Sequence, residues 1–399
     1  MSISSAKTRD IPFFGTLETF VYFLNTLWFI HWGLINAFIG IHFFRLSNAN
    51  PFLTGVLLGT PPISLLLTSF LFGWLSDIKG EKVILGGAFL TVIISDIVFF
   101  TISDSTLFLV AYIFFNLLMS CYSPAISRLS SRSVVGRDVF GKLVATSSLG
   151  YLVGSMASSI LFDQYGMVTI FLLDLFSGMI GVLLCLAAPR GSFHQAERKK
   201  SSNGFSPSVS AGILLVVVGS LSLLNGITGP FYGLVVIEEV RAPSVVWGAM
   251  NAGATIAGVV ASYLLGRFLY RKYLFPLLCS ISSYILVFIV FYASSDVFLL
   301  FLVYSIPSYV GLAVVGPAWI TDSTTISTRG RAMGLLVTIQ NFALGIGAIF
   351  GGYLALMNGS FRGNFMIAFA LSILVLLFTL FFFRDRPSQP KLTSLTEMV

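Results

Sequence analysis

Charge is what this chain has least of. Only 10% of its 399 residues are Asp, Glu, Lys or Arg, against about a quarter in a soluble globular domain. That scarcity excludes a chain solvated on all sides by water. Cysteine is scarce too: Cys121, Cys185 and Cys279 all lie in apolar runs, with no paired or metal-type spacing. A disulfide framework and a Cys-based metal centre are therefore excluded, and the three read as small apolar packing residues. There is no phosphate-binding glycine loop, no His-Glu-x-x-His and no nucleophile elbow, so the sequence offers an enzyme no machinery and implies no cofactor. No lysine or arginine lies deep in an apolar run, which leaves out a fixed cationic clamp for phosphate, nitrate or dicarboxylate. Period-2 alternation, the signature of an outer-membrane barrel, is missing as well. The net charge of +7 is spread over short loops, a pattern of membrane topology and lipid headgroups rather than of nucleic-acid binding.

What is present is hydrocarbon. Apolar residues make up 56% of the chain, phenylalanine alone contributes 39, and the mean hydropathy is +0.93. Apolar runs of 18 residues or more read as membrane-spanning helices. Twelve are predicted, at 17–44, 52–75, 82–103, 105–128, 139–162, 167–188, 210–237, 244–267, 272–294, 296–320, 332–357 and 362–383. The basic residues give an independent check. With the N-terminus inside, every Lys and Arg except Arg45, Arg241 and Arg362 falls in an inward-facing segment, as the positive-inside bias requires. A missed or spurious span would scramble this alternation. The first run is too long for a signal peptide and has no small-residue cleavage site. The expectation is an all-α polytopic membrane protein, multi-pass in the plasma membrane, with both termini cytoplasmic.

The chain also repeats itself. At a constant offset of 193 residues, Gly33, Phe38 and Gly40 match Gly226, Phe231 and Gly233, and Gly55 matches Gly248. Pro124-Ala125 match Pro317-Ala318, while Gly141, Gly154 and Gly166 match Gly334, Gly347 and Gly359. Glycines and prolines agreeing in one register mean an internal duplication. This gives two pseudo-symmetric six-helix bundles, 1–188 and 210–399, joined by a polar cytoplasmic linker at 189–209. An even number of spans per half relates the halves by an axis along the membrane normal.

After the second span comes Gly73-x-Leu75-Ser76-Asp77-x-x-Gly80-x-Lys82, with a worn copy around Gly266 and Lys272. Together with six plus six spans and a central basic linker, this loop resembles the major facilitator superfamily, and the resemblance covers nearly the whole chain. It implies a secondary transporter that moves a small-molecule substrate by alternating access, without enzymatic activity, and a monomer is expected. In the family this loop latches the cytoplasmic side of the two bundles. Here Gly73 would allow close helix approach, and Asp77, in the loop that continues through Gly80 and Lys82, would meet Arg329 and Arg331, or Arg128 and Arg132. The alternative is a solvated turn that only sets topology. The general pattern is closest to exporters of drug-like solutes, although two of their marks are missing. Span four carries no arginine in its interior, Ala111 to Pro124, and the fifth span reads Gly150-x-x-x-Gly154-Ser155, without the exporters' proline.

The resemblance places the substrate among spans one, four, seven and ten. The repeat pairs Trp32 with Asn225 and Asn116 with Tyr309, all near mid-span. Asn25, Phe29, Trp32 and Asn36 share one helical face. Tyr232 belongs to the Asn225-Gly226…Gly229-Pro230 stretch, which predicts a break in span seven, as Ser305–Tyr309 does in span ten. Asn25, Trp32, Asn36, Asn116, Asn225, Tyr232 and Tyr309 are thus candidate substrate contacts, the alternative being interhelical hydrogen bonds. Only His31, Asp96 and Asp174 are ionisable well inside the bilayer. They are candidates for proton coupling, against a packed neutral imidazole and acids that snorkel or hydrogen-bond locally. The aromatic and amide lining suits a neutral, zwitterionic or lipophilic cationic solute. Proton-coupled export of amphipathic compounds leads, ahead of uptake or facilitated diffusion of a sugar- or amino-acid-like solute. A non-transporting receptor or scaffold of the same fold is the alternative of another class.

Overall fold

A computed structural model describes residues 17–133, 138–188, 209–268, 273–324 and 326–382. The predicted linker, apart from residue 209, and the C-terminal tail lie outside the described residues. What is described is helical throughout, with no strand. Span one is α1 (Leu17–Asn36) followed by α2 (Ile39–Leu46). Spans two and three are α3 (Pro51–Lys79) and α4 (Glu81–Thr101), and span four joins α5 (Ser105–Met119) to α6 (Tyr122–Ser133). Spans five and six run as one helix, α7 (Asp138–Ala187), broken only at Gly166. Span seven is α8 (Val209–Thr228), a 3-10 turn Gly229–Phe231, α9 (Tyr232–Leu234) and a π-turn Val235–Glu239. Spans eight and nine are α10 (Ser244–Phe268) and α11 (Leu274–Ala293). Span ten is α12 (Val297–Tyr304) plus α13 (Val310–Ser323), and α14 (Ile326–Asn358) and α15 (Arg362–Phe382) complete the set. Ten helical stretches are individually long and apolar enough to cross a membrane. One of them holds both five and six, and span ten is interrupted, so twelve spans result.

The exterior is what a bilayer demands. Phe70 is 88% exposed and Phe381 77%, and dozens of other large apolar side chains also face outward. In water such a surface would aggregate; in lipid it is solvated.

The chain divides into two compact units, and each borrows from the other half of the sequence. Residues 1–50, 63–197 and 242–252 form one, and residues 51–62, 198–241 and 253–399 the other. In the first unit a Cβ at Gly33 would lie 3.1 Å from the Gly154 Cα. In the second, a Cβ at Gly226 would lie 2.8 Å from the Gly347 Cα. These are the same pair, 193 residues apart. The borrowed segments repeat the pattern: Gly55 abuts Ala348 and Gly352, while Gly248 abuts Ser155 and Ser159. Bare backbones let these helices touch, which substitutes for the hydrophobic drive that lipid removes. The same offset relates the helix breaks Gly166 and Gly359, which adopt φ of 71° and 65°, a region that side chains disfavour. Aspartates cap two equivalent spans. Asp104 accepts from the Leu107 amide at 2.8 Å, and Asp296 accepts from the Leu299 amide at 2.7 Å.

The predicted breaks in spans seven and ten are present. Span four has a further one at Ser120–Cys121, because Pro124 has no N–H to offer the Ser120 carbonyl four residues back. Pro61-Pro62 behave otherwise: α3 continues through them. Among the described residues a Cβ at Gly73 would meet nothing within 4 Å, and the close approaches of span two lie at Gly55 and Gly59. In that loop Gly80, with φ of 83°, is the position where the backbone calls for glycine.

Candidate functional site

In the first unit, span one presents two adjacent helical stripes, His31/Ile35 and Trp32/Asn36, each an i,i+4 pair. They border a polar cavity with Asp96 and Ser95 of span three and Tyr112 and Asn116 of span four. Ile35, Phe99 and Met119 supply its apolar walls. The free space is about 20 Å³, enough for roughly one water molecule. An organic solute would need the walls to part.

The chemistry beside this cavity is concentrated in three side chains from three helices. His31 Nδ1 lies 2.6 Å from Asp174 Oδ2, with the two residues 5% and 0% exposed. Ser177, one turn further along span six, donates to Asp174 Oδ1 at 2.8 Å. Asp96, 2% exposed, interacts electrostatically with Asp174. Its Oδ2 has no hydrogen-bond partner among the described residues. Trp28 shields the imidazole from one side at 5.3 Å, and itself stacks on Tyr122 at 3.9 Å, nearly parallel. Span three reaches the centre because Gly178 and Gly181 of span six leave room for Ile93 and Phe89. Such a cluster can hold, share and release protons, and its total burial rules out snorkelling for either acid.

The other candidates are placed as follows. Trp32, Asn36 and Asn116 border the cavity, although the Asn116 amide donates to the Tyr112 carbonyl of its own helix at 3.0 Å. Asn25 does not line it. Its amide nitrogen donates to the Leu143 carbonyl and the Thr146 and Ser147 hydroxyls of span five, at 2.9–3.0 Å. Asn25 is a staple between spans one and five. Asn225, Tyr232 and Tyr309 belong to the second unit. Tyr232 is buried in an aromatic cluster with Phe291, Tyr304 and Phe365, at 4.7–5.0 Å. Tyr309 is 42% exposed, and its hydroxyl occupies the space left by Gly258. Asn225 is half-buried and turns its side-chain oxygen toward Gly229. Beside the span-seven break the backbone is tied to spans eleven and twelve. Asn364 donates to the Ile227 carbonyl at 3.2 Å and to that of Gly351 at 2.9 Å.

Of the candidate latch, Lys82 donates to the Leu186 carbonyl at 3.1 Å and to that of Ala188. There it covers the C-terminal carbonyls of span six, a favourable place for a cation. Arg331 is exposed. The side chains of Asp77, Arg128, Arg132 and Arg329 lie outside the described residues. Ser95, Tyr112 and Ser177 were not singled out by the sequence, although each lies one residue to one turn from a residue that was.

The sequence profile of the Major Facilitator Superfamily matches residues 21–316 and, in a second match that begins with the second half, residues 214–398. No curated protein matches the sequence. Among solved structures, a point mutant of the nucleoside transporter NupG has a similar fold, with TM-score 0.79 and 16% identity, over 92% of this chain and 100% of that one. A bacterial homologue of the human lysosomal transporter Spinster, inward-facing and unoccupied, is also similar. There the TM-score is 0.66 at 14% identity, over 93% of this chain and 98% of that one.

Proposed function

Because this chain belongs to the Major Facilitator Superfamily, a family of membrane transporters rather than enzymes, we propose that it is a proton-coupled secondary transporter of a small organic solute, working by alternating access. The observation that carries this reading is the buried His31–Asp174–Asp96 cluster beside a polar cavity. Ionisable groups at membrane depth are costly and persist where they serve a pathway or relay. Trp32, Asn36, Tyr112 and Asn116 supply an aromatic face and hydrogen-bonding groups around it, suited to a neutral or lipophilic cationic solute. Export of amphipathic compounds in exchange for protons is the direction we favour, across the plasma membrane, with both termini cytoplasmic and the chain acting as a monomer. The likeness to NupG supports a second reading, proton-driven uptake of a nucleoside-like solute.

Full-length protein in proteoliposomes tests both, with radiolabelled tetraphenylphosphonium and uridine as probes under pH gradients of either polarity. Accumulation driven by an acidic lumen is the exchange expected for export, and tetraphenylphosphonium is the expected probe. Accumulation of uridine driven by an acidic exterior would favour the second reading. Equilibration of either probe without response to the gradient would overturn proton coupling.

A further inference from the structure

We propose that Asp96 is the carboxyl through which this cluster exchanges its proton with the cavity, and that His31 and Asp174 are a fixed pair that positions it. The inference rests on the proton-coupled reading above and assigns its residue.

The two acids differ in what their oxygens do. Asp174 has both engaged, Oδ2 by His31 Nδ1 at 2.6 Å and Oδ1 by the Ser177 hydroxyl at 2.8 Å. It is fully buried and is not part of the cavity wall. Asp96 borders the cavity, and its Oδ2, also buried, has no hydrogen-bond partner among the described residues. A charged oxygen left unpartnered at this depth costs far more than a protonated one. The cavity wall includes Asp96 and not Asp174. The titratable and polar groups facing Asp96 are His31 from span one, Tyr112 and Asn116 from span four and Asp174 from span six. Farther out, His42 stands edge-on to Phe108 and Phe171. No lysine or arginine is among the residues bordering the cavity. Ser95 does not compete for Asp96, since its hydroxyl donates to the Val92 carbonyl of its own helix at 2.8 Å.

The repeat sharpens the assignment. At the 193-residue offset His31, Asp96 and Asp174 correspond to Leu224, Ile289 and Ile367. The duplicated half has no acid or imidazole at these positions. The device is therefore present in one half only.

The test is pH-difference infrared spectroscopy of the full-length protein in lipid, which needs no solute. At pH values where surface carboxylates stay ionised, the wild type is expected to show one carbonyl-stretch band of a protonated carboxylic acid that grows as pH falls. Asp96→Asn should abolish it, and Asp96→Glu should shift its frequency. Asp174→Asn should keep the band and move its titration midpoint, which a purely structural role for Asp174 would leave in place. A band that survives Asp96→Asn overturns the assignment, as does a wild type with no titrating band. If Asp96→Asn does not assemble, an unshifted band in Asp96→Glu overturns it equally. Should the band behave as expected while no probe responds to a pH gradient in proteoliposomes, proton-coupled transport fails and the assignment of the exchanging carboxyl stands.

Discussion

At the scale of single residues, the same amide side chain serves opposite ends depending on depth. Asn25 and Asn36 share a helical face, but eleven residues separate them by about 16 Å along the axis. At Asn25 the neighbouring span five is in contact and supplies three acceptors. Asn36 instead borders the cavity with spans three and four. The sequence could say that both residues face one way but not what they face. Asn25→Ala is expected to lower stability by about 1–2 kcal/mol and to leave the apparent affinity for a transported probe unchanged. Thermal unfolding and transport kinetics on the same preparation decide it. Unchanged stability with weakened affinity would make Asn25 a solute contact after all. The three ionisable residues were legible individually for the plain reason that nothing else well inside the spans is ionisable. Their meeting was not, because His31 and Asp174 lie 143 positions apart and span-to-span orientation is not written in any one helix's periodicity. Burial settles that neither acid snorkels, which helical position alone left open.

Elements are where the duplication becomes physical. Four glycine contacts related by 193 residues hold span one to five, seven to eleven, and the borrowed starts of spans two and eight to their partners. Repeated glycines in sequence pointed to these places, since only an unusually close approach gives a reason to keep them in register. Gly154→Leu and Gly347→Leu are each expected to destabilise by about 1–3 kcal/mol or more through overpacking, and to similar extents. By contrast, Gly73→Ala, with open space around it and a helical backbone, should be neutral or stabilising by up to about 1 kcal/mol. Melting temperatures of the three variants check this, and a large loss at Gly73 would favour the close-approach role expected from its motif. The break in span seven was equally readable, as Gly229-Pro230 cannot sustain an α-helix. Its partner was not: the Ile227 carbonyl is taken by Asn364, 137 residues away. Asn364→Leu should leave that carbonyl unsatisfied and lower the melting temperature, whereas Asn364→Gln, which keeps the donor, should lose less.

For the whole molecule, charge placement carries the topology. Lys and Arg collect in alternate loops, and a chain with so little charge can afford few exceptions. Cysteines introduced at Asn48 and Asn358 should react with an impermeant maleimide from outside intact cells, and one at Ser201 only after the membrane is opened. The reverse pattern would invert the proposed orientation. Fold and span count were available from sequence because lipid imposes one rule, that every backbone polar group be satisfied within a helix. Transport chemistry was less legible, since it depends on which faces meet.

The central claim is that solute movement is tied to a proton held in the first unit, and a dye that reports internal pH reads this directly. A one-unit pH gradient is worth about 1.4 kcal/mol per proton, or about a tenfold solute gradient. Conversely, proteoliposomes given a gradient of tetraphenylphosphonium or uridine and no pH gradient should generate one, with the lumen pH moving as the solute crosses. Asp96→Asn vesicles should carry solute without moving the dye. A lumen pH that stays constant while wild-type protein transports either probe would contradict the account.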